Sequence, residues 1–163
     1  MKKRKSKKLP KPLDPHFRGK VPQTSKMEKD ELYLHMKQDP LTFLHYFFPH
    51  HVPLKSPPFH IQIIDAAMVK DRLAVAAPRG FAKSTILTFL LPLHALTFKR
   101  KHFIVIIQST FKKAAASLDS IKKEMKDVRE YKNNWGGIRI VKDAEGDSEF
   151  RHPDGFRTKV LCK

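Results

Sequence analysis

The residue types best suited to chemistry lie in one segment, Ala77-Pro78-Arg79-Gly80-Phe81-Ala82-Lys83-Ser84-Thr85. A loop that binds nucleotide phosphates needs a strand before it, a tight turn with inward-facing backbone N–H groups, and a helix N-terminus behind it. It also needs a lysine for the phosphate charge and a hydroxyl for Mg²⁺. Lys83 and Ser84 supply these groups and Thr85 begins the helix, so the segment predicts a site for ATP and Mg²⁺.

The segment departs from the strict phosphate-loop pattern at its glycine positions. With Lys83 aligned, Ala77 and Ala82 stand where the two fixed glycines are expected, and Gly80 lies inside the loop. An alanine held at a positive φ angle costs about 1–2 kcal/mol, whereas glycine adopts such an angle freely. The prediction therefore rests on Lys-Ser-Thr and its context, and the alternative is a basic turn between a strand and a helix.

Arg79 places a second cation inside the loop. An arginine here can reach the γ-phosphate and stabilise charge in the transition state, and the alternative is a plain surface cation. Arg79 and Lys83 are thus the candidate catalytic residues, and Ser84 is the candidate Mg²⁺ ligand. The candidate nucleotide-binding residues of the loop are Pro78, Arg79, Gly80, Phe81, Ala82, Lys83, Ser84 and Thr85.

Phe59 and Gln62 form a second constellation upstream of the loop. They are three residues apart and share one face of a predicted helix, Phe59 to Met68. An aromatic ring can stack on adenine, and a glutamine amide can both donate to and accept from its edge. The alternative is a core phenylalanine beside a glutamine that faces solvent.

The surrounding elements follow an α/β nucleotide-binding pattern. A strand at residues 72–77 precedes the loop, and a helix from Ser84 to about Phe98, with a kink at Pro92, follows it. The β-branched run from Phe103 to Ile107 predicts a strand buried on both faces of a parallel sheet. Apolar residues at helical spacing from Phe111 to Val128 predict a helix. Two further strands, at residues 138–141 and 158–161, flank a turn at residues 152–155.

The chain is strongly basic, with 33 Lys and Arg against 16 Asp and Glu in 163 residues. Residues 1–23 are rich in lysine and proline and predict a disordered basic arm, so that residues 24–163 form the folded part. A net charge of +17 favours a polyanionic partner such as nucleic acid, and a solvated surface is the alternative. Either the basic arm or the polar face of the long helix is expected to contact DNA. That face consists of Lys112, Lys113, Lys122, Lys123, Lys126 and Arg129.

Three segments together resemble the ATPase domain of phage terminase large subunits, the motors that package viral DNA. They are Pro58-Phe59-His60-x-x-Ile63, then residues 77–85, then Ile104-Val105-Ile106-Ile107-x-Ser109-x-x-x-Lys113-Ala114. The resemblance runs from about Asp39 to the C-terminus, and residues 78–85 are its most specific part. In that family a phosphate loop with an internal arginine is usual.

The resemblance implies a P-loop NTPase fold of the ASCE or RecA-like type, a parallel sheet with flanking helices. It implies that Mg²⁺-dependent ATP hydrolysis drives translocation of double-stranded DNA, with a small terminase subunit and a portal protein as partners. It further implies a homo-oligomeric ring in the host bacterial cytoplasm. By resemblance Lys83, Ser84 and Thr85 bind phosphates and Mg²⁺, Arg79 is the loop arginine, and Phe59 with Gln62 contact adenine.

The acidic residues that would complete such a motor are not recognisable in the sequence. A Walker B strand reads as apolar residues followed by Asp and Glu, which hold Mg²⁺ and activate water. The strand from Phe103 ends instead in Gln108, and no apolar strand precedes Asp143, Asp147, Glu149 or Asp154. The expected ATPase fold is therefore incomplete, as in a fragment, a split gene product or a truncated form, and the chain alone is expected to hydrolyse ATP poorly.

Two other functions stay open on the sequence. A helicase-like DNA-dependent ATPase also carries an aromatic and a glutamine ahead of its phosphate loop, and a non-catalytic basic DNA-binding module would carry Lys-Ser-Thr by chance. No metal site is expected from cysteine or histidine, because Cys162 is the sole cysteine and no carboxylate or cysteine set accompanies His45, His50, His51 and His60. No apolar run reaches membrane-spanning length, so no membrane partner is expected.

Overall fold

The computed structural model of the chain describes residues 29–51, 56–70 and 72–163. Within these ranges the protein is a mixed α/β structure with six α-helices and a four-stranded sheet. The predicted basic arm at residues 1–23 lies outside the described residues. No helix in the described part of the chain is both long and apolar enough to cross a membrane.

Three helices precede the phosphate-loop segment: α1 (Lys29–Gln38), α2 (Pro40–Phe47) and α3 (Pro58–Val69). Asp39 caps α2, since its carboxylate accepts from the Leu41 N–H at 3.0 Å and from the Thr42 hydroxyl at 2.7 Å. Pro40 then occupies the first turn, where its missing N–H leaves no hydrogen bond unmade. A short 3₁₀ turn, Pro49–His51, follows α2.

The helix after the loop is continuous from residue 83 to residue 97 but changes its winding along the way. It widens into a π-helix, Thr85–Leu90, and continues as α4 (Leu91–Thr97). Pro92 lies in the first turn of α4 and cannot donate a backbone hydrogen bond. The predicted helix is therefore confirmed. The helix is continuous through Pro92, and the irregular winding lies before it, in the π-helix next to the loop.

The amphipathic helix predicted from Phe111 is confirmed as α5 (Phe111–Asp127). The Thr110 hydroxyl accepts from the Lys113 N–H at 3.3 Å and caps its first turn. Val128 then adopts an extended conformation with ψ 107°, so the chain bends and α6 (Arg129–Trp135) begins. The apolar side of α5 packs toward the sheet and supplies core residues Ala114, Leu118, Ile121 and Met125.

The sheet contains β1 (Phe103–Ile106), β2 (Arg139–Ala144), β3 (Asp147–Arg151) and β4 (Arg157–Cys162), in the spatial order β1-β4-β3-β2. Only β1 and β4 run parallel, with Phe103 opposite Lys159 and Ile106 opposite Cys162. β4 pairs with β3, and β3 with β2, in antiparallel fashion. The predicted parallel sheet is therefore wrong for most of the described strands, because short turns connect β2, β3 and β4.

The prediction that the strand from Phe103 is buried on both faces is also wrong. Ile106 is buried, but Phe103 is 53% exposed, Val105 40% and Ile107 71%. β1 is an edge strand of the sheet, and only the face toward α5 is covered by described residues. A continuous β-branched run therefore encodes a strand here without encoding a second buried face.

The core combines two kinds of packing. On the sheet side, α5 packs against β4, and Phe150 and Val160 are fully buried. On the helical side, aromatic rings meet edge to face around Phe43, with centroid distances of 5.5 Å to Phe98 and 6.2 Å to Tyr131. The buried Tyr131 hydroxyl lies 2.8 Å from the Thr97 hydroxyl, which joins α6 to α4.

Candidate nucleotide site

The backbone of the loop turns through two positive φ angles. Gly80 has φ 82° and Ala82 has φ 50°. An added Cβ at Gly80 would meet no atom within 4 Å, so the requirement for glycine there is conformational rather than steric. Ala82 carries the strain expected of alanine at one of the glycine positions, and backbone strain of this kind is frequent at functional sites.

The Lys83 side chain folds back over its own loop. Its ammonium donates to the backbone carbonyls of Ala77 and Pro78. These hydrogen bonds hold a positive charge across the turn. A bound phosphate would offer oxygen acceptors of higher charge than the two carbonyls, so Lys83 could exchange one set of acceptors for the other.

The helix N-terminus behind the loop provides further donors. Ile86 N–H donates to the Ala82 carbonyl at 3.0 Å, which marks the start of helical hydrogen bonding. The N–H groups of the first turn have no intrahelical acceptor, and the helix dipole favours an anion beside them. Ser84 is exposed in this first turn, and its carbonyl accepts from the Thr88 hydroxyl at 2.7 Å. The donors suit phosphate, while Ser84 offers Mg²⁺ one hydroxyl ligand.

A cavity of about 430 Å³ adjoins the loop, a volume typical of small-molecule sites. Phe59, Gln62, Pro78 and Phe81 line it, together with residues 73–77. The Phe59 and Phe81 rings lie 4.9 Å apart. The structure thus brings the two predicted adenine contacts to the same cavity as Pro78 and Phe81 of the loop. The other predicted loop residues do not line it: Arg79, Gly80, Ala82, Lys83, Ser84 and Thr85.

His60 holds α3 against the loop, a role that was not predicted from the sequence. It is buried, and its Nε2 lies 3.2 Å from the Phe81 carbonyl, to which a protonated Nε2 donates. The available signal was its place beside Phe59 on an apolar helix face.

The predicted strand at residues 72–77 is not present as a strand. The described residues 72–78 have no strand assignment and no partner in the sheet. Leu73, Ala74 and Ala76 are exposed, and only Val75 and Ala77 are partly buried. The segment therefore has little apolar surface to hold it against the sheet, although its backbone still leads into the loop.

The four carboxylates considered for metal binding are each paired with a cation away from the loop. Asp143 pairs with Lys122 at 2.8 Å, Asp147 with Lys142, Glu149 with Arg157 at 3.1 Å, and Asp154 with Lys99. These cations lower the pKa values of the three aspartates, and the largest cause in each case is the hydrogen bond from the lysine. Asp143 lies in β2, and Asp147 and Glu149 lie in β3.

One of the six residues predicted for the DNA-contacting face, Lys122, is not available at the surface of α5. Lys122 is buried and lies 2.7 Å from Asp119 and 2.8 Å from Asp143. Burial lowers its pKa, but the hydrogen bonds to the two aspartates outweigh this and the pKa is raised overall. The remaining members of the predicted DNA-contacting face are exposed: Lys112, Lys113, Lys123, Lys126 and Arg129.

No protein-family model, curated protein or solved structure matches this chain. The site is therefore defined by the chain's own residues.

Proposed function

We propose that this chain binds Mg²⁺-ATP through its loop at residues 78–85, as the nucleotide-binding part of a DNA-packaging ATPase of the phage terminase large-subunit type. The observation that carries the proposal is the junction of the loop with the cavity. Phe59 and Gln62 line the cavity together with Pro78 and Phe81 of the loop. The same loop carries Lys83, a helix N-terminus and two positive φ angles. A nucleotide carries a group suited to each: an anionic triphosphate for the loop and a flat base for the cavity.

The proposed roles follow from the chemistry of each group. Lys83 and the first-turn N–H groups neutralise and orient the phosphates, and Ser84 contributes one oxygen to Mg²⁺. Mg²⁺ supplies charge neutralisation between phosphate oxygens. Phe59 stacks on the base and Gln62 pairs with its edge. Arg79, exposed at the turn, can swing toward the terminal phosphate.

Binding rather than rapid turnover is the activity proposed for the chain by itself. No acidic side chain is among the described residues that line the cavity beside the loop. Hydrolysis in P-loop ATPases requires a group that positions or activates water. In the proposed role, residues outside this chain supply the water-activating group to the P-loop NTPase. The chain by itself is then expected to bind the nucleotide without hydrolysing it efficiently.

A fluorescent ATP analogue tests the proposal directly. Lys83→Ala should weaken binding at least about tenfold, because it removes a charge that contacts phosphate. Lys101→Ala is the matched control, since Lys101 is an exposed lysine just before β1. If the wild type and Lys83→Ala bind the analogue equally, the phosphate-loop proposal is wrong and the non-catalytic DNA-binding module becomes the better hypothesis. A helicase-like ATPase would show the same weakening as the proposed motor.

Double-stranded DNA is the proposed partner, and the five exposed cations of α5 and α6 are the proposed contacts. Replacing Lys123 and Lys126 with alanine should reduce the slope of log affinity against log salt by up to about 0.9 for each phosphate that the variant no longer neutralises. Lys122→Gln is the control, because Lys122 is already neutralised by two aspartates. An unchanged slope in the double variant would shift the proposal to residues 2–20, whose deletion is the next measurement.

The remaining partners follow from the same assignment. We propose a homo-oligomeric ring that works with a small terminase subunit and a portal protein in the host bacterial cytoplasm. Analytical ultracentrifugation of the chain with ATP and DNA measures the oligomeric state. A monomer at every protein concentration would contradict the proposed ring.

A further inference from the structure

Two histidines and a glutamate that are distant in sequence meet at the surface beside α5. His50 and His51 belong to the 3₁₀ turn after α2, and Glu124 lies near the end of α5. Both imidazoles direct Nε2 toward the same carboxylate. The distances to Glu124 Oε1 are 3.0 Å from His50 and 3.0 Å from His51, and His50 Nε2 is 3.1 Å from Oε2.

The three donor atoms have the spacing of a nearly assembled metal site. One ligand atom from each residue lies within 4.8 Å of the other two. Zinc binds imidazole nitrogen and carboxylate oxygen at about 2.0–2.2 Å, so neighbouring ligand atoms in a tetrahedral site are about 3.3 Å apart. The nitrogen–oxygen distances of 3.0 Å are slightly shorter than that value, so small side-chain adjustments would fit the ion between the three ligand atoms.

Packing holds the imidazole rings in place. The His51 ring lies 4.5 Å from the Phe89 ring of the π-helix, and the two histidine rings lie 4.5 Å apart. Consecutive side chains normally diverge on a regular element, but the tight 3₁₀ turn lets both reach one carboxylate. The orientation of the ligands is thus set by the fold rather than by the carboxylate alone.

The choice of partners also points to a metal. Among the residues that the structure describes, Glu124 pairs with two imidazoles and not with a lysine or an arginine, although the chain has 33 of these cations. The His50 side chain is 52% exposed and that of Glu124 is 18% exposed, so one side of the cluster faces solvent. Two neutral imidazoles and one carboxylate leave a coordination position that water can fill, as in open zinc sites.

We propose that His50, His51 and Glu124 bind a Zn²⁺ ion, with water as a fourth ligand. The site ties the turn after α2 to α5 across a separation of 73 and 74 residues, and it acts as a clip between the helical and sheet sides of the core. It is separate from Ser84, because imidazole ligands favour zinc and related transition metals, whereas Mg²⁺ prefers oxygen. Zinc binding at this cluster does not depend on ATP binding at the loop.

Calorimetric titration of Zn²⁺ into the untagged, chelator-treated full chain tests the site in the presence of excess Mg²⁺. One Zn²⁺ should bind per chain, and Glu124→Gln should weaken binding at least about tenfold, the range in which even supporting residues of metal sites act. Glu130→Gln is the matched control, an exposed glutamate on α6. Lys83→Ala should bind Zn²⁺ normally, which separates this site from the nucleotide site.

Two further readouts keep the test decisive. Zn²⁺ should raise the Tm of the wild type and of Glu130→Gln but not that of Glu124→Gln, because a ligand stabilises the state that binds it. Co²⁺ should give the intense visible absorption of a tetrahedral site with the wild type and Glu130→Gln but not with Glu124→Gln. If Glu124→Gln fails to fold, His50→Gln takes its place. Absence of a saturable single site, or equal Zn²⁺ affinity in the wild type and Glu124→Gln, would overturn the proposal.

Discussion

Residues 72–85 and the segment from β1 to β4 differ in how the rest of the chain holds them. The first has no strand partner among the described residues and leads into a turn, with mostly exposed side chains and two positive φ angles. The second has defined strand register and a buried face against α5. The groups proposed to bind the phosphates are therefore in the less tightly packed region, whereas the sheet and α5 contribute more of the stability.

Because of this difference, we expect core mutations to lower mainly the stability and loop mutations to weaken mainly the binding of nucleotide. Loops that bind ligands are commonly drawn from regions of low local stability, whereas core strands and helices carry the global free energy of unfolding. The loop is nevertheless anchored at defined points. His60 contacts the Phe81 carbonyl, and Ile86 joins the core.

The largest expected effect comes from the packed side. Leu118→Ala empties a fully buried position on α5 and should lower the free energy of unfolding by about 2–5 kcal/mol. Phe81→Ala, at a residue 40% exposed in the loop, should lower it by less than about 1 kcal/mol while weakening binding of an ATP analogue. Urea unfolding and analogue titration measure the two effects. Equal losses of stability in Leu118→Ala and Phe81→Ala would contradict the proposed difference between the two regions.

The free energy of unfolding should also depend on pH, with an effect of intermediate size that arises from the packed core. Burial lowers the pKa of His94 to about 4, while its Nε2–H donates to the Met36 carbonyl at 2.9 Å. The unfolded chain, in which the pKa is about 6.5, binds a proton first as pH falls. Stability is therefore full above about pH 6.5 and decreases toward pH 4. The expected decrease is up to about 3 kcal/mol, because the folded and unfolded pKa values of His94 differ and each tenfold difference in proton affinity is worth about 1.4 kcal/mol.

His94→Gln isolates this contribution. Its unfolding free energy should fall less steeply than that of the wild type between those pH values. A smaller dependence of the same sign should remain, because burial also lowers the pKa values of His45 and His152. Parallel curves for the two proteins would show that His94 does not titrate on unfolding.

The smallest effect concerns strain in the loop. Ala82→Gly should raise the unfolding free energy by less than about 1 kcal/mol, since relief at φ 50° is partly offset by the greater freedom of glycine in the unfolded chain. The same change at Ala116, exposed within α5, should instead cost about 1 kcal/mol. Opposite signs in thermal unfolding are expected, and a loss of stability at both positions would argue against a left-handed Ala82.

Local features of the fold were predictable because their causes are local. The cap at Asp39, the helical spacing from Phe111 and the turn at residues 152–155 depend on neighbours a few residues away. Two of the predicted strands, at residues 138–141 and 158–161, lie within or overlap β2 and β4. β3 was not predicted, because only Ser148 and Phe150 of its five residues are buried and the rest of it is charged.

The failures concern pairing and burial. The segment at residues 72–77 resembles a strand in composition but has no partner among the described residues, and Val105 is exposed despite its β-branched neighbours. The site was predictable to the extent that its residues are near one another in sequence. The roles of His60 and Glu124 were not predicted, because they depend on contacts with residues that are distant in the sequence.

The sequence by itself determined the helices predicted from Phe59, Ser84 and Phe111, the turn at Gly80 and the positions of Lys83 and Ser84 at a helix start. These follow from side-chain size, backbone freedom and capping within a few residues. Only the tertiary structure decided that the sheet is mainly antiparallel, that β1 keeps one open face and that Lys122 is neutralised. It alone placed Glu124 beside His50 and His51, because contacts between residues distant in the chain depend on the packing of whole elements.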